Sequence, residues 1–324
     1  MKAIPVILIL MLVILSFNGC GGGGGSDEES AIYSTGDKLT YTADGVSFIM
    51  VYVEGGLTFP KGQSDDSTGT VAEAYWIAET EVTYELWKKV YDWATDAARG
   101  SNKYTFANLG TPGDGGRGMQ HPVTTINWRD AIVWCNALTE WYNAQKGTKY
   151  GCVYTNSDIV LRDSTNTNCD SAVASPTAKG FRLLTGNEWE LAARYRGSDT
   201  TNVVTGTVNG VNFDEMTTKW TKGDSASGAN GSDSIATDIV AWYEGNSNNS
   251  THEVKTKTHN TLDLYDMSGN VTEWCLDLYD ASSRLYRGGS WNQALAFIPI
   301  GRYFDRTTPD DKNILIGFRI AKSQ

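Results

Sequence analysis

The sequence predicts an α+β domain with limited regular secondary structure, running from about residue 46 to residue 324. Two observations carry this. Three helix starts are marked by capping residues, at Thr83, at Asn127 with Asp130 three positions on, and at Thr185 with Glu188 three positions on. The connections between them are long and rich in Gly, Asn, Ser and Thr, and a chain with 34 glycines, 11 tryptophans and 16 tyrosines suits short strands and loops better than a helix bundle.

The N-terminal stretch is of another kind. Met1-Lys2 is a minimal positive region, and Ile4 to Phe17 is an apolar run of secretory-signal length, too short for a convincing membrane span. It ends at Asn18-Gly19-Cys20, which resembles the processing box of bacterial lipoproteins, in which the cysteine is acylated and becomes the first residue. Residues 1–19 therefore read as a signal peptide. Gly21 to Gly25 and the acidic run after them cannot pack a core, so residues 20–45 read as a lipidated Cys20, a tether and a short N-terminal addition.

Within the body, residues 38–41 and 46–53 are rich in β-branched and aromatic residues, and Asp44-Gly45 can turn between them. Tyr75 to Thr80 is a short strand. Thr83 can cap a helix from Tyr84 to about Ala98, whose Leu86, Trp87, Val90, Tyr91 and Ala94 recur at helical spacing. The second helix carries Ala131, Val133, Trp134, Leu138 and Trp141 inward and ends near Gly147, and the third runs from Glu188 to Tyr195. Residues 197–231 read as a long surface insertion attached through Phe213, Met216 and Trp220.

A formal charge of −11 argues against a nucleic-acid phosphate backbone as partner. Apart from Cys20 there are four cysteines. Cys152 and Cys169 flank a polar segment, and in an exported protein a disulfide can close that loop. Cys135 and Cys275 lie in apolar surroundings and read as buried and inert.

Two stretches near the C-terminus carry the functional reading. Residues 264–274 hold Asp266 and Glu273 around a Gly269-Asn270 turn. That spacing can build a calcium site from carboxylates and backbone carbonyls, or can be a turn whose side chains satisfy backbone amides. Farther on, Arg287-Gly288-Gly289-Ser290-Trp291 and Ile316-Gly317-Phe318-Arg319-Ile320 frame a middle, Asn292 to Leu315, without helical or strand periodicity. Its mixture of aromatic, aliphatic and charged residues suits a binding face on a rigid scaffold, the alternative being an interior hairpin.

Five blocks in succession carry a family resemblance: Phe48 to Phe59; Glu81-Val82-Thr83; His121-Pro122-Val123 through Trp134; Phe181 to Arg194; and Leu264 to Trp274 followed by the two framing motifs. In this order they resemble the sulfatase-modifying, formylglycine-generating enzyme domain, a variant of the C-type lectin fold. The resemblance implies calcium ligands at Asp266, Gly269, Val271 and Glu273, the middle two through backbone carbonyls. It implies no copper, because the family's paired cysteine positions hold Gln293 and Ile298, and an amide and a hydrocarbon cannot replace thiolates.

The Trp-framed C-terminal stretch resembles the variable proteins of diversity-generating retroelements. The implied function is a non-catalytic, lipid-anchored receptor, outward-facing on the outer membrane and monomeric, which meets the membrane only through its anchor. Its segment of about 292–315 would be rewritten to bind varied macromolecular ligands, above all proteins. Ala294, Ala296, Phe297, Pro299, Tyr303, Phe304, Asp305, Asp310, Lys312 and Leu315 are the expected contact residues. The alternatives are an invariant surface lectin or structural lipoprotein and, behind these, a formylglycine-generating oxidase.

Overall fold

Alternation along three strands builds the body of the molecule. In a computed structural model, which describes residues 32–303 and 306–324, the strands are β1 (Lys38–Ala43), β2 (Val46–Val53), β3 (Tyr75–Ala78), β4 (Phe181–Leu183), β5 (Thr272–Leu278), β6 (Arg284–Arg287), β7 (Arg306–Thr307), β8 (Ile316–Phe318) and β9 (Ile320–Ser323), besides shorter pairs. The helices are α1 (Tyr84–Ala94), α2 (Trp128–Lys146), α3 (Gly186–Arg194) and α4 (Ser234–Val240). A five-stranded sheet has the order β1-β2-β3-β9-β4, and a four-stranded sheet the order β7-β6-β5-β8.

Successive side chains on a strand point to opposite faces, so a central strand that is apolar throughout feeds two cores. Met50 and Tyr52 of β2, Trp76 and Ala78 of β3 and Ile320 of β9 join one apolar cluster, which contains the inner faces of α1 and α2. Val51 and Val53, Tyr75 and Ile77, and Ala321 join a second cluster, with Trp189, Leu191, Ala192 and Ala193 of α3. The five-stranded sheet is thus a central layer covered by helices on both sides. Tryptophan dominates the first core: Trp87 and Trp134 stack at 5.5 Å, and Phe318 meets Trp134 edge-on at 5.3 Å.

The expected local signals produce the expected local structures. Asp44 and Gly45 both take positive φ, 45° and 81°, in the two-residue turn that brings β1 antiparallel to β2 from Lys38↔Val51 to Ala43↔Val46. Thr83 caps α1 by accepting from the Leu86 amide. α1 is shorter than its periodicity suggests, ending at Ala94, because Asp96 caps a separate 3-10 turn at Ala97–Asn102. Asn127–Asp130 and Thr185–Glu188 are both reciprocal capping boxes, and Gly147 closes α2 in the left-handed region at φ 71°. Phe213 and Trp220 are buried and Met216 half-buried, so the stretch 197–231 is fastened to the second core at the expected points. The helix α4 that follows it has no counterpart in the sequence reading.

Cys152 and Cys169 depart from the sequence reading. They are separate thiols, not a disulfide. The Cys152 thiol lies 3.7 Å from the Asn136 carbonyl, and the Cys169 thiol donates to the Asp163 carbonyl at 3.3 Å, so the loop is tied by backbone contacts. Burial pushes both thiols up to about 12. Cys135 and Cys275 are completely buried, as expected, with their thiols pushed up by the same cause. The signal peptide, Cys20 and most of the tether lie outside the described residues. Among those described, no helix is long and apolar enough to cross a membrane.

Candidate functional site

The C-terminal segment is launched from a turn that only glycine allows. Gly288 and Gly289 have φ of 98° and 73°, and a Cβ on Gly289 would sit 2.7 Å from the Phe297 carbonyl oxygen. The chain then folds back on itself. The Gln293 amide donates to the Ser290 carbonyl at 3.0 Å, while the Gln293 side-chain oxygen accepts from the Ser290 amide at 2.9 Å.

From there to Leu315, on both sides of residues 304–305, the backbone is anchored to the body. The Trp291 amide donates to the Asn270 carbonyl, the Glu244 amide to the Gln293 carbonyl, and the Ile300 and Gly301 amides to the Ser225 and Gly223 carbonyls, all at 2.9–3.0 Å. Ser247 and Ser268 hydroxyls donate to the carbonyls of Trp291 and Ile298, and Arg287 donates to that of Arg302 at 2.8 Å. Beyond the undescribed pair, β7 pairs with β6, the Thr125 amide donates to the Asn313 carbonyl at 3.0 Å, and the Thr272 amide donates to the Leu315 carbonyl at 2.8 Å.

The side chains carried by this backbone divide sharply. Ala294, Ala296, Phe297, Tyr303, Asp310 and Lys312 are exposed, Phe297 at 40% and Tyr303 at 39%. The Arg302 guanidinium lies 4.5 Å over the Phe297 ring. Lys312 donates to the Asn108 side chain at 2.8 Å, and hydrogen bonding to Thr308 holds the Asp310 carboxyl below its ordinary range. Two expected contact residues are placed otherwise. Pro299 is buried, because the chain dives between Ile298 and Ile300 to reach the 223–225 loop, and Leu315 is half-buried against the first core. Phe304 and Asp305 lie outside the described residues.

Ile298 is 1% exposed in a small third cluster with Ala226, Ala229, Val240, Ala241 and Tyr243. Gln293 is committed to Ser290. The two positions therefore present one apolar side chain and one occupied amide, neither of which suits a soft metal.

The turn at 266–273 lies directly beneath. Asp266 is 3% exposed at φ 56°; one of its oxygens accepts from the Lys255 amide at 2.9 Å, and the other, Oδ1, is buried without a partner. Burial pushes its carboxyl up to about 6. Glu273 is occupied: Arg319 donates to it at 2.7 and 3.0 Å, and Trp189 Nε1 donates at 2.7 Å. Gly269 takes φ 80°, and a Cβ there would meet the Trp242 carbonyl oxygen at 2.2 Å, so the position requires glycine. Glu81, which the sequence reading left without a role in this turn, accepts from the Asn270 side chain at 2.7 Å and the Val271 amide at 3.0 Å.

The expected calcium set of Asp266, Gly269, Val271 and Glu273 thus shares one turn but does not fit calcium as a set, since Glu273 is saturated by a guanidinium that would also repel the ion. Of the two carboxylates in the set, Asp266 is the one with an unpartnered oxygen. Among the described residues no three His, Cys, Asp or Glu side chains could together hold a metal.

Residues 44–324 match the model of the sulfatase-modifying factor enzyme 1-like domain. The chain belongs to this family. It is 30% identical over 261 residues, 76% of this chain and 79% of the relative, to chaperone protein LppX of Paenibacillus barcinonensis. Among solved structures it is similar to Treponema denticola variable protein 1, with 28% identity and a TM-score of 0.64 over 89% of this chain and 99% of that one. It is also similar to CarF, with 27% identity and a TM-score of 0.63 over 85% and 98%. PvdO from Pseudomonas aeruginosa, 18% identical with a TM-score of 0.56 over 90% and 100%, shares the fold.

Proposed function

We propose that this family member is a non-catalytic receptor of C-type lectin architecture, held at the outer face of the outer membrane by an acylated Cys20, whose segment 292–315 is diversified by a retroelement to bind protein ligands. One observation carries the reading. The segment's backbone is tied to the body on both sides of residues 304–305, while the side chains of Ala294, Ala296, Phe297, Tyr303, Asp310 and Lys312 are exposed. Such a segment can change side chains without changing fold. A relative named as a variable protein and one named as a chaperone support display of a protein-binding face. Gln293 and Ile298, in place of thiolates, support the absence of oxidase chemistry.

The decisive experiment sequences this locus across isolates and genomic copies. Substitutions concentrated at the exposed positions of 292–315, with Ile298, Pro299 and Ile300 unchanged, are expected; substitutions spread evenly over the body, or an invariant segment, would overturn the reading. Incubation with a cysteine-containing sulfatase peptide and copper is expected to yield no formylglycine. Incorporation of labelled fatty acid is expected to disappear in Cys20→Ser, and its persistence would refute the anchor.

A further inference from the structure

We infer that Arg319 is the built-in cation of the 266–273 turn: its guanidinium does there what a calcium ion would do, and removing it converts the turn into a divalent-cation site. The side chains of Glu81, Asp266 and Glu273 meet around this turn, none of them more than 3% exposed. Among the described residues, the pair between Glu273 and Arg319 is the only ion pair that any of the three makes. Buried carboxylates are costly without a positive partner, so a cation belongs among them.

Arg319 collects oxygens from separate parts of the chain, as a metal ion does. It is completely buried. Its Nε and Nη2 donate to Glu273 Oε1 at 3.0 and 2.7 Å, Nη1 to the Ala78 carbonyl at 2.9 Å, and Nη2 to the Tyr265 carbonyl at 2.7 Å. A guanidinium stays charged at any ordinary pH, so this cation is permanent.

The other positive groups near the turn are engaged elsewhere. Lys255 gives Asp266 its main-chain amide, but its ammonium and that of Lys38 pair with Glu79. The Lys257 ammonium lies over the Trp242 ring and donates to the Asp238 carbonyl. Without the guanidinium, Glu273 Oε1 would join Asp266 Oδ1 as a buried oxygen lacking a partner. Two such carboxylate oxygens are hard ligands of the kind calcium takes. Because the Trp291 amide hangs on the Asn270 carbonyl of this turn, the footing of segment 292–315 is likewise independent of calcium in the native chain.

Melting curves of the detergent-solubilised full chain, recorded in millimolar calcium chloride and in EDTA, decide the matter. Wild type and Asp266→Asn are expected to respond to calcium alike. Arg319→Met should melt lower than wild type in EDTA and recover by at least about 3 °C in calcium. Arg319→Met/Glu273→Met should lose that recovery, and Arg319→Lys, which keeps the charge, should not acquire it.

A calcium-dependent gain in wild type that Asp266→Asn removes would show that the turn holds the metal beside Arg319, and overturns the inference. So does an Arg319→Met protein that folds but ignores calcium. Refolding yield covers the remaining case: if Arg319→Met folds in neither medium, calcium cannot stand in for the guanidinium and the inference fails.

Discussion

Arg319 grips Glu273 inside the molecule, Nη2 to Oε1 at 2.7 Å, with neither side chain more than 1% exposed. The same guanidinium donates to the carbonyls of Ala78 and Tyr265, at 2.9 and 2.7 Å, and Trp189 completes the Glu273 carboxylate. Arg319 is also the single residue between β8 and β9, so this pair sits where the chain passes from one sheet into the other. Removing one partner strands a buried charge, and Arg319→Met is expected to cost about 3–5 kcal/mol in urea denaturation. The double variant Arg319→Met/Glu273→Met should cost less than the sum of the single variants, and strict additivity would mean that the pair is not coupled.

Asp266 gives a pH signature. Its folded value, about 6, lies above the ordinary carboxylate value of 3.8. Between the two the folded protein holds a proton that the unfolded chain has released, so this residue's contribution to stability falls as pH rises from about 4 to about 6 and stays reduced above. Asp266→Asn, which can still accept from the Lys255 amide, should therefore gain melting temperature relative to wild type at pH 7 compared with pH 4. Calcium bound through Asp266 would reverse the sign, giving wild type a calcium-dependent, EDTA-sensitive gain that the variant lacks.

The exposed aromatics of the segment should be nearly free to change. Phe297→Ala and Tyr303→Ala are expected to cost under about 1 kcal/mol, the Phe297 figure including its contact with Arg302, whereas Trp134→Ala should cost roughly 3–5 kcal/mol. Denaturation midpoints of the three variants check this, and core-sized losses at 297 or 303 would place those rings in the interior.

The capping boxes are worth unequal amounts. Thr185→Ala should cost about 1 kcal/mol, the usual value of an N-cap. Asp130→Ala should cost more, because the Asp130 carboxylate also accepts from the Ala107 amide at 3.0 Å, the Asn108 side chain at 2.7 Å and the Ser164 hydroxyl at 2.5 Å, and so fixes a neighbouring loop. Equal losses would show that those loop contacts contribute nothing.

Local chemistry was the legible part of this chain. Caps, the Asp44-Gly45 turn and the apolar stripe of α1 depend on residues within one or two turns of each other, which a sequence displays directly. α4 is not legible because its exposed isoleucines, half-buried Ala236 and buried Val240 leave no one-sided apolar stripe. The burial of Pro299 and the engagement of Glu273 by Arg319 are not legible in the sequence, for a related reason. Their surroundings come from residues 223–225 and from Arg319, 46 positions on from Glu273, and spacing along the chain carries no record of such meetings. The segment's lack of periodicity was itself informative, since a backbone held by scattered contacts to the body need not repeat.

The strands β8 and β9 follow the segment in the chain, and β9 lies between β3 and β4 in the five-stranded sheet. A change of reading frame anywhere in 292–315 would erase both strands together with Arg319. The central sheet would be left with an open gap and Glu273 with its charge uncovered. Point substitutions at the segment's exposed positions pass through folding unnoticed, while insertions or deletions that slip the frame yield a chain unable to close. The architecture thereby tests the reading frame: a chain reaches the native state only when the frame beyond residue 315 is kept.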